Sequence, residues 1–213
     1  EQNIENQVVK NIQNQIEKGY FEKEGIKLEL TTGFGADKTA TAVISGDADI
    51  AFMGPEATIY QFNQGNADYL INFAQLTQRA GNFVVSRKKE DSFKWEDLKG
   101  KKVIGGRPGG MPEMVFEYVL KKHGMNPQKD INLVQNIDFA NTSGAFVSGE
   151  ADYTVEFEPA ATLIEEQGAG YVVASVGKES GYVPYTSYSV KKSYLKTHKE
   201  LLEAFTRAIE KGQ

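Results

Sequence analysis

The chain has 213 residues, 40% hydrophobic and 25% charged, which is ordinary globular material long enough for one large core or two modest ones. A formal net charge of −5 argues against a nucleic-acid binder, which needs clustered Lys and Arg. The absence of cysteine excludes disulfides, a thiolate nucleophile and Cys-type zinc sites. His123 and His198 are far apart and each sits in a Lys-rich helical context, so both read as surface residues and no metal site or cofactor is expected. No apolar run approaches the roughly 18 residues of a membrane span, and no signal-peptide pattern is present. Glu1 is not an initiator Met, which points to a processed or trimmed chain and leaves room for a removed export signal.

Taken in order, the segments alternate between short strands and helices, the α/β pattern. Lys27 to Leu30 reads as a short strand, Thr39 to Ser45 as a helix stopped by Gly46, and Asp49 to Met53 as a buried strand. Pro55 to Gln64 is a helix with Pro in its first turn, ended by Gly65. Tyr69 to Leu76 and Asn82 to Arg87 are strands, and Trp95 to Gly100 is a helical turn feeding the strand Lys102 to Gly105. There follow helix Met111 to His123, strand Ile131 to Gln135, helix Thr142 to Ser148, strand Asp152 to Phe157, helix Pro159 to Gln167 and strand Tyr171 to Ser175. Ser187 to Val190 is a last strand, and the chain closes in an amphipathic helix containing Leu201, Leu202 and Phe205.

Within this order the sequence repeats itself. Ala42-Val43-Ile44-Ser45-Gly46-Asp47-Ala48-Asp49 returns as Ala145-Phe146-Val147-Ser148-Gly149-Glu150-Ala151-Asp152, a constant offset of 103 positions from Gly46 to Gly149. The echo reaches upstream, where Gly19 to Leu30 parallels Tyr118 to Gly124 with Ile131 to Val134. A period near 100 residues is too long for a solenoid and fits a duplicated domain. Two similar lobes with a site between them are the organising expectation.

In open α/β sheets, ligands bind beyond the carboxyl ends of strands, so the loops after strands are the candidates. Five of them precede helices: Gly33-Phe34-Gly35, Met53-Gly54-Pro55, Gly105 to Met111, Asn136 to Asn141, and Glu156-Phe157-Glu158. Glycine admits close backbone approach, and a helix N-terminus suits an anion. Gly106, Gly109, Gly110 and Met111 frame Arg107, which could clamp a carboxylate, sulfonate or phosphate. The spacing matches neither a dinucleotide fingerprint nor a Walker A loop. Phe34, Phe139 and Phe157 either stack on a flat ring or pack in the core. Glu156 could meet a ligand amine, and Glu158 either does the same or caps the helix behind it. Asn136 and Asn141 complete the candidate ligand-binding set with Met53 and Gly54.

The ordered combination of Ile16 to Ile26, Ser45 to Ala51, Gly149 to Asp152 and Phe157-Glu158-Pro159 resembles the nitrate/sulfonate/taurine-type substrate-binding proteins of ABC importers, a group that includes thiamine-pyrimidine binders. The resemblance covers about residues 16 to 212. It implies a two-lobed, periplasmic-binding-protein type II-like α/β fold, each lobe a mostly parallel sheet flanked by helices. Residues 1–81 would open lobe 1, 82–182 would form lobe 2, and 183–213 would return to a truncated lobe 1. By this resemblance the protein is an extracytoplasmic monomer, periplasmic or lipid-anchored. It would bind a small organic solute in the interlobe cleft and hand it to a membrane permease, with no catalytic residue. The solute would be a sulfonate or carboxylate anion or a pyrimidine-like heterocycle; an enzyme of thiamine-pyrimidine or menaquinone biosynthesis type is the alternative. One departure stands out, because Asn3 to Val9 is polar where the second unit has the strand Lys102 to Gly105 and its glycine loop.

Overall fold

The computed structural model describes residues 12–33 and 35–212, with the side chain of Phe139 excepted. Asn3 to Val9 and Phe34 therefore lie outside the described residues. The chain divides into two compact units. Gln78–Val183 forms a continuous unit, and the residues up to Thr77 join those from Pro184 onward in a split unit.

In chain order the helices α1 (12–17), α2 (Tyr20–Lys23) and α3 (Ala36–Ser45) lead to strand β1 (Ala51–Met53), helix α4 (Glu56–Asn63) and strand β2 (Leu70–Thr77). The continuous unit supplies β3 (Asn82–Ser86), a 3-10 turn (Trp95–Leu98), β4 (Lys102–Ile104), α5 (Met111–Lys122), α6 (Pro127–Asp130) and β5 (Asn132–Val134). It continues through a second 3-10 turn (Phe139–Asn141) to α7 (Thr142–Ser148), β6 (Tyr153–Phe157), α8 (Ala160–Glu166), β7 (Tyr171–Ser175) and α9 (Val176–Ser180). β8 (Thr186–Lys191), α10 (Lys192–Thr197) and α11 (Lys199–Gly212) complete the split unit.

The sequence echo is a structural echo. α3 ends at Gly46 with φ 92° and α7 at Gly149 with φ 105°, a left-handed backbone that glycine adopts without a Cβ clash. Upstream, Gly25 N and Ile26 N donate to Glu22 O and Phe21 O, and Gly124 N and Met125 N donate to Lys121 O and Leu120 O in the same pattern. Pro55 and Pro159 stand at the N-caps of α4 and α8. Downstream of each repeat, β1 lies beside β8 and β8 beside β2, just as β6 lies beside β3 and β3 beside β7. The continuous unit extends its sheet beyond β6 with β4 and β5, giving the order β5-β4-β6-β3-β7.

Strand directions are mostly parallel, as expected: β4, β5, β6 and β7 run one way with β3 against them, and β1 and β2 run one way with β8 against them. Among the described residues β4 pairs parallel with β5 and β6, while β3 pairs antiparallel with β6 and β7, and β8 antiparallel with β1 and β2. The cause is connectivity. β3 and β8 follow passages of the chain from one unit into the other, with no crossover helix before them, and each enters at the end where its neighbour finishes. The pairings Asn82 with Phe157 and Ser187 with Met53 record this. Lys27 to Leu30, expected as a strand, has no ladder partner among the described residues, although Leu28 packs on the core.

Each sheet is covered on both faces. In the split unit, Phe21, Tyr188, Phe205 and Ile209 pack on one side, where Phe205 of α11 meets the Tyr188 ring at 5.2 Å and the Phe21 ring at 5.4 Å. Ala40, Val43, Met53 and Ala57 fill the side under α3 and α4. In the continuous unit, Val85, Ile104, Phe146 and Ile164 form the core under α7 and α8. On the opposite face the ring chain Tyr153, Phe93, Trp95 and Phe116 reaches α5. Among the described residues no helix is long and apolar enough to cross a membrane.

Candidate functional site

The carboxyl ends of β4, β5 and β6 lie at one edge of the continuous unit, and three of the five expected loops leave from there. After β4, Gly106 (φ 92°) and Gly109 (φ 72°) bend the chain so that Gly110 becomes the N-cap of α5 and Met111 its first residue. Gly110 N donates to Arg107 O at 3.3 Å, and the Arg107 side chain is exposed. After β5, Asn136 is exposed, and the turn Phe139–Asn141 carries the exposed Asn141 as N-cap of α7. A shallow depression of about 560 Å³ beside β5 touches Pro108 and Asn136 from two of these loops.

β6 brings Glu156 to this edge, only 2% exposed. Alternation along the strand turns Glu156 and Thr154 toward the α7 side, away from Tyr153, Val155 and Phe157. Thr154 Oγ1 donates to Glu156 Oε1 at 2.7 Å, and Thr142 Oγ1, from the first residue of α7, donates to Oε2 at 3.2 Å. Burial pushes the carboxyl up to about 7, against the two hydroxyls that favour its charged form. Phe157 is half-buried beside the backbone of Gly81. Glu158 accepts from Thr162 N at 3.1 Å and Thr162 Oγ1 at 2.8 Å, capping the first turn of α8.

In the split unit, Met53 is buried at the end of β1. A Cβ at Gly54 would press on the Glu56 carboxyl, and one at Gly33 on the Thr39 hydroxyl, so either substitution requires those side chains to move. Gly35 is the N-cap of α3 with φ 136°, and its carbonyl accepts from Thr39 N and Thr39 Oγ1, both at 2.9 Å.

Two residues escaped the sequence reading. Glu113, in the first turn of α5 and 5% exposed, accepts from Gly109 N at 3.1 Å and from Gln135 Nε2 at 2.9 Å. Burial and the neighbouring Glu117 carboxyl raise its pKa, opposed by the Gly109 N–H. A Glu at the third helical position after a glycine N-cap is a capping pattern and could have marked it. Asn82, the first residue of β3, is fully buried, and neither its Nδ2 nor its Oδ1 has a hydrogen-bond partner among the described residues. Nothing in a lone Asn before an apolar strand announces this. No group of three or more His, Asp and Glu suited to a metal ion occurs among the described residues.

Comparison with known proteins places the fold. The chain is 52% identical over 196 residues to YtlA of Bacillus subtilis (strain 168), provisionally named a binding protein, with 92% of this chain and 59% of YtlA covered. The alkanesulfonate-binding protein SsuA from Xanthomonas axonopodis pv. citri, solved with bound MOPS, superposes with a TM-score of 0.74 at 17% identity, covering 93% of this chain and 68% of that one. The periplasmic nitrate-binding protein NrtA from Synechocystis PCC 6803 superposes with a TM-score of 0.72 at 18% identity, covering 95% of this chain and 57% of that one. The two-unit α/β architecture is thus the periplasmic binding protein fold, and the chain spans less than two thirds of YtlA's length. The NMT1/THI5-like family profile matches residues 10–213, and the chain belongs to that family.

Proposed function

We propose that the chain is the solute-binding part of an ABC importer. It works outside the cytoplasm as a monomer, periplasmic or lipid-anchored, and passes a small organic solute to a membrane permease. The solute is a flat heterocycle bearing a basic nitrogen. Glu156 carries this reading: a carboxyl 2% exposed, touched by two hydroxyls and standing where three loops converge, is stabilised in its charged form by an arriving cation. The exposed Arg107 offers less to an anion than a buried guanidinium would. YtlA's name as a binding protein and the names of the solved alkanesulfonate- and nitrate-binding proteins support the binding role.

The test is a thermal-shift screen of the intact protein against aminopyrimidines and thiamine precursors, methanesulfonate, taurine and nitrate. A ligand specific to the folded state stabilises it by about 2.7 kcal/mol at a hundredfold excess over its dissociation constant. An aminopyrimidine recovered chemically unchanged is the expected hit. A solute consumed during incubation moves the reading to an enzyme, and stabilisation by anions alone overturns the ligand class.

A further inference from the structure

The glycine loop before α5 has the form of an anion receiver: positive-φ glycines, a helix of 12 residues behind them, and backbone N–H groups at its N-terminus. An anion-like group is already there, and it belongs to the chain. Glu113 turns back from the first turn of α5, takes the N–H of Gly109 on one oxygen and is held on the other by Gln135 from the end of β5. It is 5% exposed, so this carboxyl lies within the protein and joins two of the loops around the candidate site.

Asn82 supplies a second and separate observation. It alternates onto the same face of the sheet as Ser86, Tyr153 and Phe157, the face that Tyr153, Phe93, Trp95 and Phe116 connect to α5. Its register opposite Phe157 puts it at the carboxyl end of β6, the end from which α5 sets out. A fully buried carboxamide with both polar atoms unpartnered among the described residues is costly unless something polar meets it.

We infer that Glu113 determines specificity at this site: its carboxyl occupies the oxyanion position of the glycine loop and closes that position to sulfonate, sulfate and phosphate, leaving the Asn82 carboxamide, unpartnered among the described residues, as the polar contact for an uncharged or cationic solute. The inference rests on the reading that small solutes bind at the carboxyl ends of β4, β5 and β6.

The deciding experiment titrates methanesulfonate and sulfate into the intact native protein, Glu113→Ala and Glu113→Gln by calorimetry, with 4-amino-5-aminomethyl-2-methylpyrimidine as the cationic probe. The native protein is expected to bind neither anion at millimolar concentration, and Glu113→Ala to bind methanesulfonate at least tenfold more tightly. Glu113→Gln keeps the shape and an acceptor oxygen, so it should remain foldable and fall between the two. Native binding of methanesulfonate as tight as that of Glu113→Ala overturns the inference, whether or not the variants fold well. Native binding of the pyrimidine with no anion gained by either variant also overturns it, while leaving the proposed function standing. Anion binding gained by Glu113→Ala in a protein that ignores the pyrimidine supports Glu113 and removes the proposed ligand class.

Discussion

Thr142 opens α7 and at the same time donates its hydroxyl to Glu156 on β6, at 3.2 Å, so the start of a helix and the candidate ligand carboxyl are held by one contact. Thr154 holds the other oxygen from within the strand. The carboxyl is thereby oriented but not neutralised, since both partners are uncharged hydroxyls.

Stability should depend on pH through this group. Its folded pKa of about 7 lies above the ordinary value of 4.5, so the proton binds the folded state more tightly. The resulting stability is complete below about pH 4.5 and is lost as pH rises through about 7. Glu156→Gln cannot ionise, and relative to the native protein it should gain on the order of 3 kcal/mol between about pH 4 and pH 8. Urea denaturation at the two pH values measures this; equal midpoint differences at both would remove the buried-acid account.

Binding should show the opposite slope. A solute that stays protonated across the range prefers ionised Glu156, so its affinity should rise about tenfold from pH 6 to pH 8 and the pH dependence should vanish in Glu156→Gln. Calorimetry in buffers of different ionisation enthalpy would also register the proton released.

Arg107→Ala should leave that affinity unchanged, because the side chain is exposed. A tenfold loss in the same titration would restore the anion reading.

Phe205→Ala should destabilise the split unit by about 3–5 kcal/mol, since its ring meets Phe21, Phe73 and Tyr188 in one buried cluster. The loss should appear in chemical denaturation.

Two glycines of one repeat unit should respond in opposite directions. Gly149→Ala meets no atom within 4 Å but must hold φ 105°, so it should cost about 1–2 kcal/mol. Gly144→Ala, inside α7 with open space and no positive φ, should stabilise by up to about 1 kcal/mol. A shared sign in thermal melts would contradict the conformational argument.

Helices, glycine stops and most strands were legible because each leaves a local mark: the Gly46 and Gly149 stops, Pro55 and Pro159 at N-caps, the apolar stripe of Leu202, Phe205 and Ile209. Which strand runs against the others was not, because alternation reads the same from either end; these strands are β3 and β8. α9 was missed for its five residues, too few for a helical period to register. Glu156 was visible as an acid after an apolar strand, yet its neutral partners Thr142 and Thr154 were not, since one lies 14 positions away. Glu113 was hidden by an ordinary role, as an acid in a first helical turn matches the helix dipole whether or not it is buried.

The central strand of the split unit comes late. β8 separates β1 from β2, and its Thr186 hydroxyl meets that of Thr77 across 109 positions of chain. Among the described residues β1 and β2 pair through β8 alone, so during synthesis their sheet waits until Thr186–Lys191 has left the ribosome, whereas Gln78–Val183 holds all five strands of its own sheet in one stretch. The sheet of the continuous unit is thus completed before that of the split unit, and a nascent chain halted near Val183 would carry one finished unit preceded by strands β1 and β2 still without their shared partner.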